Sequence, residues 1–282
     1  MKLRQALATV RESLFNIEEA PLEAEILLRH VLDISRAHLF SHLEDPLNHV
    51  QEKALKQALE RRLSGEPSAY ITGHREFYGL DFIINRNVLI PRPETELLVE
   101  ETIAAVKKNK INNIADIGTG SGAIAVSLAV QLPGAKIYAT DISSKALEVA
   151  EQNCKKHNVE DRIVLLQGNL LEPLKKGVDI IAANLPYVRQ SDLQTQKELT
   201  YEPQEALDGG RDGLDVIRNF CKQAEEKRNM FKFLLLEIGR GQSERIIAIL
   251  SEIYPEGSIE VYRDMAGIER IVSLSLTRVR KF

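Results

Sequence analysis

Asp116-Ile117-Gly118-Thr119-Gly120-Ser121-Gly122 is the stretch on which the fold turns. Residues 111–117 set Ile111, Ile114, Ala115 and Ile117 over a strand's length, and residues 123–130 carry the alanines and aliphatics of a buried helix. A strand that ends in glycines and passes straight into a helix opens a doubly wound α/β sheet. Glycine permits the tight turn and leaves the backbone open to a ligand. The alternation continues downstream, with strands expected at 135–141, 162–167, 178–184, 231–238, 258–263 and 270–276. Helical stretches are expected between the five strands from residue 111 to residue 238, as right-handed crossovers require. Only residues 264–269 separate the last two, too few for a crossover, so those strands should pair antiparallel.

The glycine spacing alone leaves the cofactor open. Gly118, Gly120 and Ala123 satisfy a dinucleotide fingerprint, whereas Gly118, Gly120 and Gly122 give the G-x-G-x-G of enzymes that use S-adenosylmethionine. Asp141 closes the next strand about twenty residues later, where a carboxylate can accept both ribose hydroxyls. An adenosine-type cofactor follows from either spacing.

Asn184-Leu185-Pro186-Tyr187 ends the fourth strand of the series. In such a sheet, ligands bind beyond the carboxyl ends of the strands, where Gly118–Gly122, Asp141, Asn169 and Asn184 all fall. The motif suits a planar nitrogen nucleophile, whose delocalised lone pair makes it weak. The Asn184 side-chain oxygen and a main-chain carbonyl on the rigid Leu-Pro step can accept both N–H groups. They then aim the nitrogen and favour its positively charged transition state. Tyr187 can stack on the planar group.

The first third of the chain reads as helical. Leu3, Leu7, Val10 and Leu14 recur at helical spacing, as do Ala24, Leu27, Leu28 and Val31, then Leu55, Leu59 and Leu63. Pro21 is placed to open the second helix, and Asp45-Pro46 interrupts before the third. Residues 80–84 and 88–90 flank Asn85-Arg86-Asn87, a pattern that predicts a β-hairpin with a three-residue loop. Pro91-Arg92-Pro93 stiffens its exit. The expected organisation is a helical domain over 1–70, a hairpin linker over 71–93 and a catalytic domain over 94–282.

Charge narrows the partners. The chain of 282 residues carries 37 basic and 41 acidic side chains, a net −4, which disfavours nucleic-acid binding by bulk charge. No apolar run approaches the roughly 18–20 residues of a membrane helix, and the polar start lacks a signal-peptide core. Cys154 and Cys221 stand apart with no partner at metal spacing, so no metal site and no disulfide are expected. A soluble, monomeric, cytoplasmic protein is the expectation.

Beyond these readings, the chain resembles the protein-(glutamine-N5) methyltransferases that modify class I peptide-chain release factors. The resemblance spans nearly its whole length. It is carried by Gly65-Glu66-Pro67, Tyr70-Ile71-Thr72-Gly73, Glu76-Phe77-Tyr78-Gly79-Leu80, Leu89-Ile90-Pro91-Arg92-Pro93-Glu94-Thr95-Glu96, the glycine loop, Asn184–Tyr187, Glu202-Pro203, Asp208-Gly209-Gly210 and the run from Asp264 to Arg270. It implies a class I, Rossmann-like seven-stranded methyltransferase domain behind a small helical domain. It also implies methyl transfer from S-adenosylmethionine to the glutamine amide of a Gly-Gly-Gln loop, leaving S-adenosylhomocysteine.

Carried over by residue, Gly118, Thr119, Gly120, Ser121 and Gly122 hold the methionine portion and Asp141 the ribose. Asn169 and Leu170 lie beside the adenine, and Asn184, Leu185, Pro186 and Tyr187 grip the substrate amide. Asn169 stands where the family has an acid, and Leu185 where it has proline. The catalytic acceptor at 185 is a main-chain carbonyl, which leucine keeps, and Pro186 still biases Leu185 toward extended backbone. Arg92 and Glu94 suit either ligand contact or an ion pair locking the linker, and Glu237 ends a strand near the crevice.

Rival readings are a ribosomal-protein glutamine methyltransferase, a DNA adenine-N6 methyltransferase, an NAD-dependent oxidoreductase and a non-catalytic binding module. The DNA enzyme lacks basic recognition loops here. The last two leave Asn184–Tyr187 unexplained.

Overall fold

The computed structural model describes residues 1–193 and 197–276, with side chains described except at 197 and 198. Residues 194–196 and 277–282, which the sequence reading assigned to the catalytic domain, lie outside the described residues. Two units emerge, one over Met1–His74 and one from Arg75 onward.

The first unit is helical: α1 (Leu3–Ser13), α2 (Ala20–Leu32), α3 (Arg36–Ser41), α4 (His49–Leu63) and α5 (Ser68–Thr72). Leu3, Val10, Leu14, Leu27, Leu28, Leu39 and Leu55 form its core. Pro21 sits one residue inside α2 rather than at its first position. Leu55, Leu59 and Leu63 do not share one face. A spacing of four advances about 40° past a full turn each time, and Leu63 is left 54% exposed. Ser35 caps α3 and the Asn48/Gln51 pair caps α4, both local devices that satisfy free N–H groups. Glu66 is buried and receives Arg61 through both carboxylate oxygens, at 2.7 and 2.9 Å. A second buried pair, Arg62 to Glu23 at 2.8 Å, is completed by the Ser68 hydroxyl at 3.1 Å.

The second unit begins with the hairpin, and here the sequence expectation needs correction. The hairpin pairs β1 (His74–Phe77) with β2 (Leu80–Ile83), turning at Tyr78-Gly79, while 88–90 is not a strand. Both turn residues have positive φ, 52° and 70°, as a two-residue hairpin turn that follows strand twist demands. Tyrosine rarely adopts that conformation, so the turn carried little signal. The Tyr78 N–H is held by the Glu96 carboxylate at 2.8 Å. Phe77 and Phe82 are buried edge to face, with centroids 6.1 Å apart.

After a single 3₁₀ turn at Pro93–Thr95, α6 (Glu96–Asn109) leads into the sheet. Its strands are β3 (Asn113–Ile117), β4 (Lys136–Asp141), β5 (Ile163–Gln167), β6 (Ile180–Ala183), β7 (Phe233–Glu237), β8 (Ser258–Arg263) and β9 (Glu269–Ser275). They run in the order β5-β4-β3-β6-β7-β9-β8, the first five parallel and β9 antiparallel to both neighbours. The intervening helices are α7 (Ala123–Gln131), α8 (Ser144–Lys156), the short α9 (Gln190–Leu193), α10 (Asp215–Glu226) and α11 (Ser243–Ile253).

One crossover differs from expectation. No helix joins β5 to β6: Gly168, Pro173 and Gly177 interrupt that segment, and turn bonds such as Glu172 N–H to Asn169 C=O at 3.0 Å replace a helical ladder. Strand order reverses between β3 and β6, because the chain first builds outward to β5 and then returns. That reversal opens a crevice at the carboxyl ends of β3, β4 and β6.

Candidate active site

A cavity of about 240 Å³ occupies this crevice. Gly118 and Gly120 form one wall, Asp141, Ile142 and Ser143 the end of β4, Asn169 and Leu170 the loop after β5, and Asn184, Leu185 and Pro186 the end of β6. Val88 and Leu89, from the segment after the hairpin, and Pro203, Glu205, Ala206 and Val216 complete it. Most of these later residues carried no motif that the sequence reading assigned to a site.

The glycine loop owes its shape to hydrogen bonds beneath it. The Gly118 and Thr119 N–H groups both donate to the Thr140 carbonyl at 2.9 Å. The Thr119 hydroxyl turns inward to Asp116 Oδ2 at 2.6 Å, which also accepts from the Ala125 N–H at 3.1 Å. Asp116 is fully buried and its Oδ1 has no partner, so desolvation lifts its carboxyl to about 7. Gly118 has φ of 74°, and a Cβ there would lie 3.5 Å from the Asn184 carbonyl oxygen. Ser121 is buried, and Gly122 starts α7 against Ala150. Of the five loop residues, then, Gly118 and Gly120 line the cavity, and Thr119, Ser121 and Gly122 build its support.

Asp141 lines the cavity with its carboxylate already engaged: Oδ2 accepts from Gly120 N–H at 2.8 Å and Oδ1 from Ser143 N–H at 2.9 Å. Burial nevertheless pushes its carboxyl above the ordinary range. Leu170 adopts positive φ, 53°, and its carbonyl is held by the Thr140 hydroxyl at 2.9 Å. Asn169 donates from Nδ2 to Glu172 at 3.3 Å.

At the other end, Asn184 Nδ2 donates to Thr95 Oγ1 at 3.1 Å. Neither Asn184 Oδ1 nor the Leu185 carbonyl accepts a hydrogen bond from the described residues. Leu185 is 2% exposed, so its side chain packs inward, within the core. Tyr187 does not line the cavity; its hydroxyl donates to Glu237 Oε1 at 3.3 Å. Gln242 clamps the Tyr187 carbonyl at 3.1 Å and the Gly213 carbonyl at 3.2 Å, while accepting from Gly239 N–H at 2.8 Å. Gly209 in the Asp208-Gly209-Gly210 run lies so close to this strand end that a Cβ would approach Tyr187 Cα to 2.8 Å. The motif is therefore fixed from two sides.

Glu237, at the end of β7, is 1% exposed with Oε2 unpartnered, and desolvation raises its carboxyl to about 7 against the opposing effect of the Thr95 and Tyr187 hydroxyls. Arg92 and Glu94 both form ion pairs, with different partners. Arg92 pairs with Glu202, whose other oxygen holds Ile90 N–H at 3.0 Å, and Glu94 meets Arg270 at 3.4 Å. Among the described residues, no group of His, Cys, Asp and Glu side chains is arranged to hold a metal. No helix there is long and apolar enough to cross a membrane.

Comparison with known proteins finds relatives of both units. Residues 3–73 match the PrmC N-terminal domain family, and residues 93–233 match the methyltransferase small domain family. A release factor glutamine methyltransferase from Coxiella burnetii is 39% identical over 96% of this chain and 98% of its own length. One from Moorella thermoacetica is 40% identical over 96% and 97%. The chain belongs to the release factor glutamine methyltransferase family.

Solved structures show the same fold at lower identity. A human METTL16 N-terminal domain structure in complex with SAH has a TM-score of 0.52 at 19% identity, covering 83% of this chain and 86% of that one. A METTL16 methyltransferase domain structure gives 0.55 at 18%, covering 92% and 94%. Family membership makes this chain an S-adenosylmethionine-dependent protein glutamine methyltransferase, and the cavity suits that cofactor. Gly120 opens onto free space, with nothing within 4 Å of a Cβ, beside the Asp141 carboxylate. Ile142, 60% exposed, offers an apolar surface on the same wall.

Proposed function

We propose that the chain transfers a methyl group from S-adenosylmethionine to the side-chain amide nitrogen of the glutamine in the Gly-Gly-Gln loop of class I release factors. The observation that carries this reading is Asn184: its Nδ2 is tied to Thr95, which leaves Oδ1 as an acceptor at the cavity. The names of full-length relatives support the same substrate.

Gly118 and Gly120 would hold the methionine portion, Asp141 the ribose, and Asn169 with Leu170 the adenine end. Thr119, Ser121 and Gly122 shape that loop from below. S-adenosylmethionine supplies an electrophilic methyl group on a sulfonium. Asn184 Oδ1 and the Leu185 carbonyl accept the two amide N–H groups, which localises the nitrogen lone pair and holds it in line. The C–N bond forms as the C–S bond breaks, and the nitrogen's extra proton passes to water. Pro186 stiffens the step between the two acceptors. Tyr187, braced by Glu237 and Gln242, shapes the loop end rather than the cavity floor.

The helical unit is proposed to recognise the folded release factor. A glutamine side chain is too small to supply specificity, so remote contacts must provide binding energy and orientation. Its charge, 9 basic against 11 acidic residues over 1–74, fits a protein partner better than nucleic acid. Separate incubation with labelled S-adenosylmethionine and a release factor, a ribosomal protein or duplex DNA tests the reading. Label entering release factor alone supports it; label entering only the ribosomal protein or DNA overturns it.

A further inference from the structure

We infer that Glu202 is a positioning residue for the cofactor: its carboxylate fastens the segment after the hairpin to the loop after β6, and so holds two walls of the cavity together. The inference rests on the cavity being the S-adenosylmethionine site and not on which protein is methylated.

Glu202 does not line the cavity, but its neighbours do. Pro203, Glu205 and Ala206 follow it on one wall, and Val88 and Leu89 stand just before Ile90 on another. Ile90 and Glu202 are 112 residues apart, and no β pairing joins their segments among the described residues.

A carboxylate joins them instead. Glu202 is buried, its Oε2 accepts from the Ile90 N–H at 3.0 Å, and its Oε1 takes the Arg92 guanidinium. Arg92 lies in extended backbone, φ −98° and ψ 143°, the conformation that Pro93 after it favours. Beside this pair the Arg86 guanidinium lies over the Tyr201 ring, 5.5 Å from its centroid. The loop after β6 is also closed at its neck. There the Val188 N–H donates to the Leu207 carbonyl at 3.0 Å and the Gly209 N–H to the Val188 carbonyl at 2.8 Å. The wall residues 203–206 are thus pinned at both ends, by the neck and by Glu202.

The consequence for binding lies in the free protein. With the carboxylate in place, both walls stand ready. Without it, Arg92 and the Ile90 N–H lose a shared partner, the segments part for some of the time, and the cofactor must bring them together as it binds. Apparent affinity then falls with the fraction of chains whose cavity is formed. Chemistry on the bound cofactor is spared, because a filled cavity restores the walls. Glutamine is the discriminating replacement: it keeps the shape and an oxygen for Ile90, but its NH₂ confronts the Arg92 guanidinium, donor against donor.

The experiment compares Glu202→Gln, Arg92→Gln and the double variant with the parent, all in the full chain. Calorimetry with S-adenosylhomocysteine is the first readout, and steady-state kinetics with intact release factor the second. In Glu202→Gln the Kd for S-adenosylhomocysteine should rise about ten- to hundredfold, the equivalent of one hydrogen bond to a charged group. KM for S-adenosylmethionine should rise in proportion, with kcat at saturating cofactor and KM for release factor within about threefold of the parent. Arg92→Gln should move the same quantities in the same direction. The double variant, whose two amides can pair, should bind no more weakly than the weaker single variant.

A folded Glu202→Gln with parental affinity for S-adenosylhomocysteine overturns the inference, whatever its melting temperature, and leaves the pair a structural contact alone. So does a lowered kcat at parental Kd, or a double variant whose loss is the product of the two single losses. If Glu202→Gln folds poorly, Arg92→Gln decides, since Arg92 is the more exposed partner; parental affinity there overturns the inference equally. A parent chain that does not bind S-adenosylhomocysteine would remove the cofactor from this cavity and the inference with it.

Discussion

Asn153 Nδ2 donates to the Ser121 carbonyl at 2.9 Å and to the Ile83 carbonyl at 3.0 Å, while its Oδ1 accepts from Ile83 N–H at 2.7 Å. One fully buried side chain on α8 thus fastens β2 of the hairpin to the cofactor loop. The segment that leaves β2 supplies Val88 and Leu89 to the cavity wall, so the hairpin belongs to the cofactor site as well as to the fold.

Asn153→Ala should therefore lower stability and cofactor affinity together. Three backbone groups lose their partner inside the protein, for a loss of about 2–3 kcal/mol. Thermal denaturation with and without S-adenosylhomocysteine checks this. An unchanged melting temperature would show that the three bonds contribute nothing.

Glu237 predicts a pH dependence. Its folded carboxyl titrates at about 7 against an ordinary 4.5, so between those values the folded chain holds a proton that the unfolded chain has released. Stability from this group falls as pH rises from about 4.5 to 7, and the cost is complete above that. It reaches about 3 kcal/mol. The groups facing it are Tyr187 after β6, Glu94 on the 3₁₀ turn, Arg270 on β9 and the Thr95 hydroxyl. Glu237→Gln should remove that part of the pH slope, so its denaturation midpoint relative to the parent should improve between pH 5 and pH 7.5. Parallel curves for the two proteins across that range would contradict the account.

Asp141 sits where the ribose is proposed to bind, and it also holds the Gly120 and Ser143 N–H groups. Asp141→Ala should weaken S-adenosylhomocysteine binding by roughly 1.5–3 kcal/mol, the range for hydrogen bonds to a charged group. Calorimetry decides it, and NAD should give no heat with the parent chain. Parental affinity in the variant would place the ribose elsewhere.

Much of this was legible in the sequence because the decisive signals were local. The glycine loop, the apolar run around Ile181 and the short connection before β9 each dictate structure within a few residues. The hairpin was misplaced because its turn rests on a tyrosine at positive φ, a conformation that propensity argues against. The helix expected between β5 and β6 was lost to Pro173 and two glycines, which outweighed the leucines around them. Thr95 and Gln242 escaped because their roles depend on partners 89 and 55 residues away. Leu185 shows the converse: a departure from the family pattern that the fold absorbs, since its side chain is buried and its carbonyl stays available.

Removal of residues 1–74 should separate recognition from chemistry. The remaining unit contains every cavity residue, so S-adenosylhomocysteine affinity should stay within a few fold. By contrast, kcat/KM for intact release factor should fall far more than for a short Gly-Gly-Gln peptide. Circular dichroism must first show the truncated chain folded. Equal losses on both substrates would deny the helical unit its proposed role.

The most direct test of the central claim is a single-turnover reaction of the parent and Asn184→Ala with release factor and labelled S-adenosylmethionine, with the modified residue mapped by peptide mass spectrometry. The account predicts one methyl group on the Gly-Gly-Gln glutamine with the parent. It predicts a rate lower by about 10²–10³ with Asn184→Ala, at cofactor affinity within several-fold of the parent. Methylation at any other residue, or an Asn184→Ala rate equal to the parent's, would contradict it.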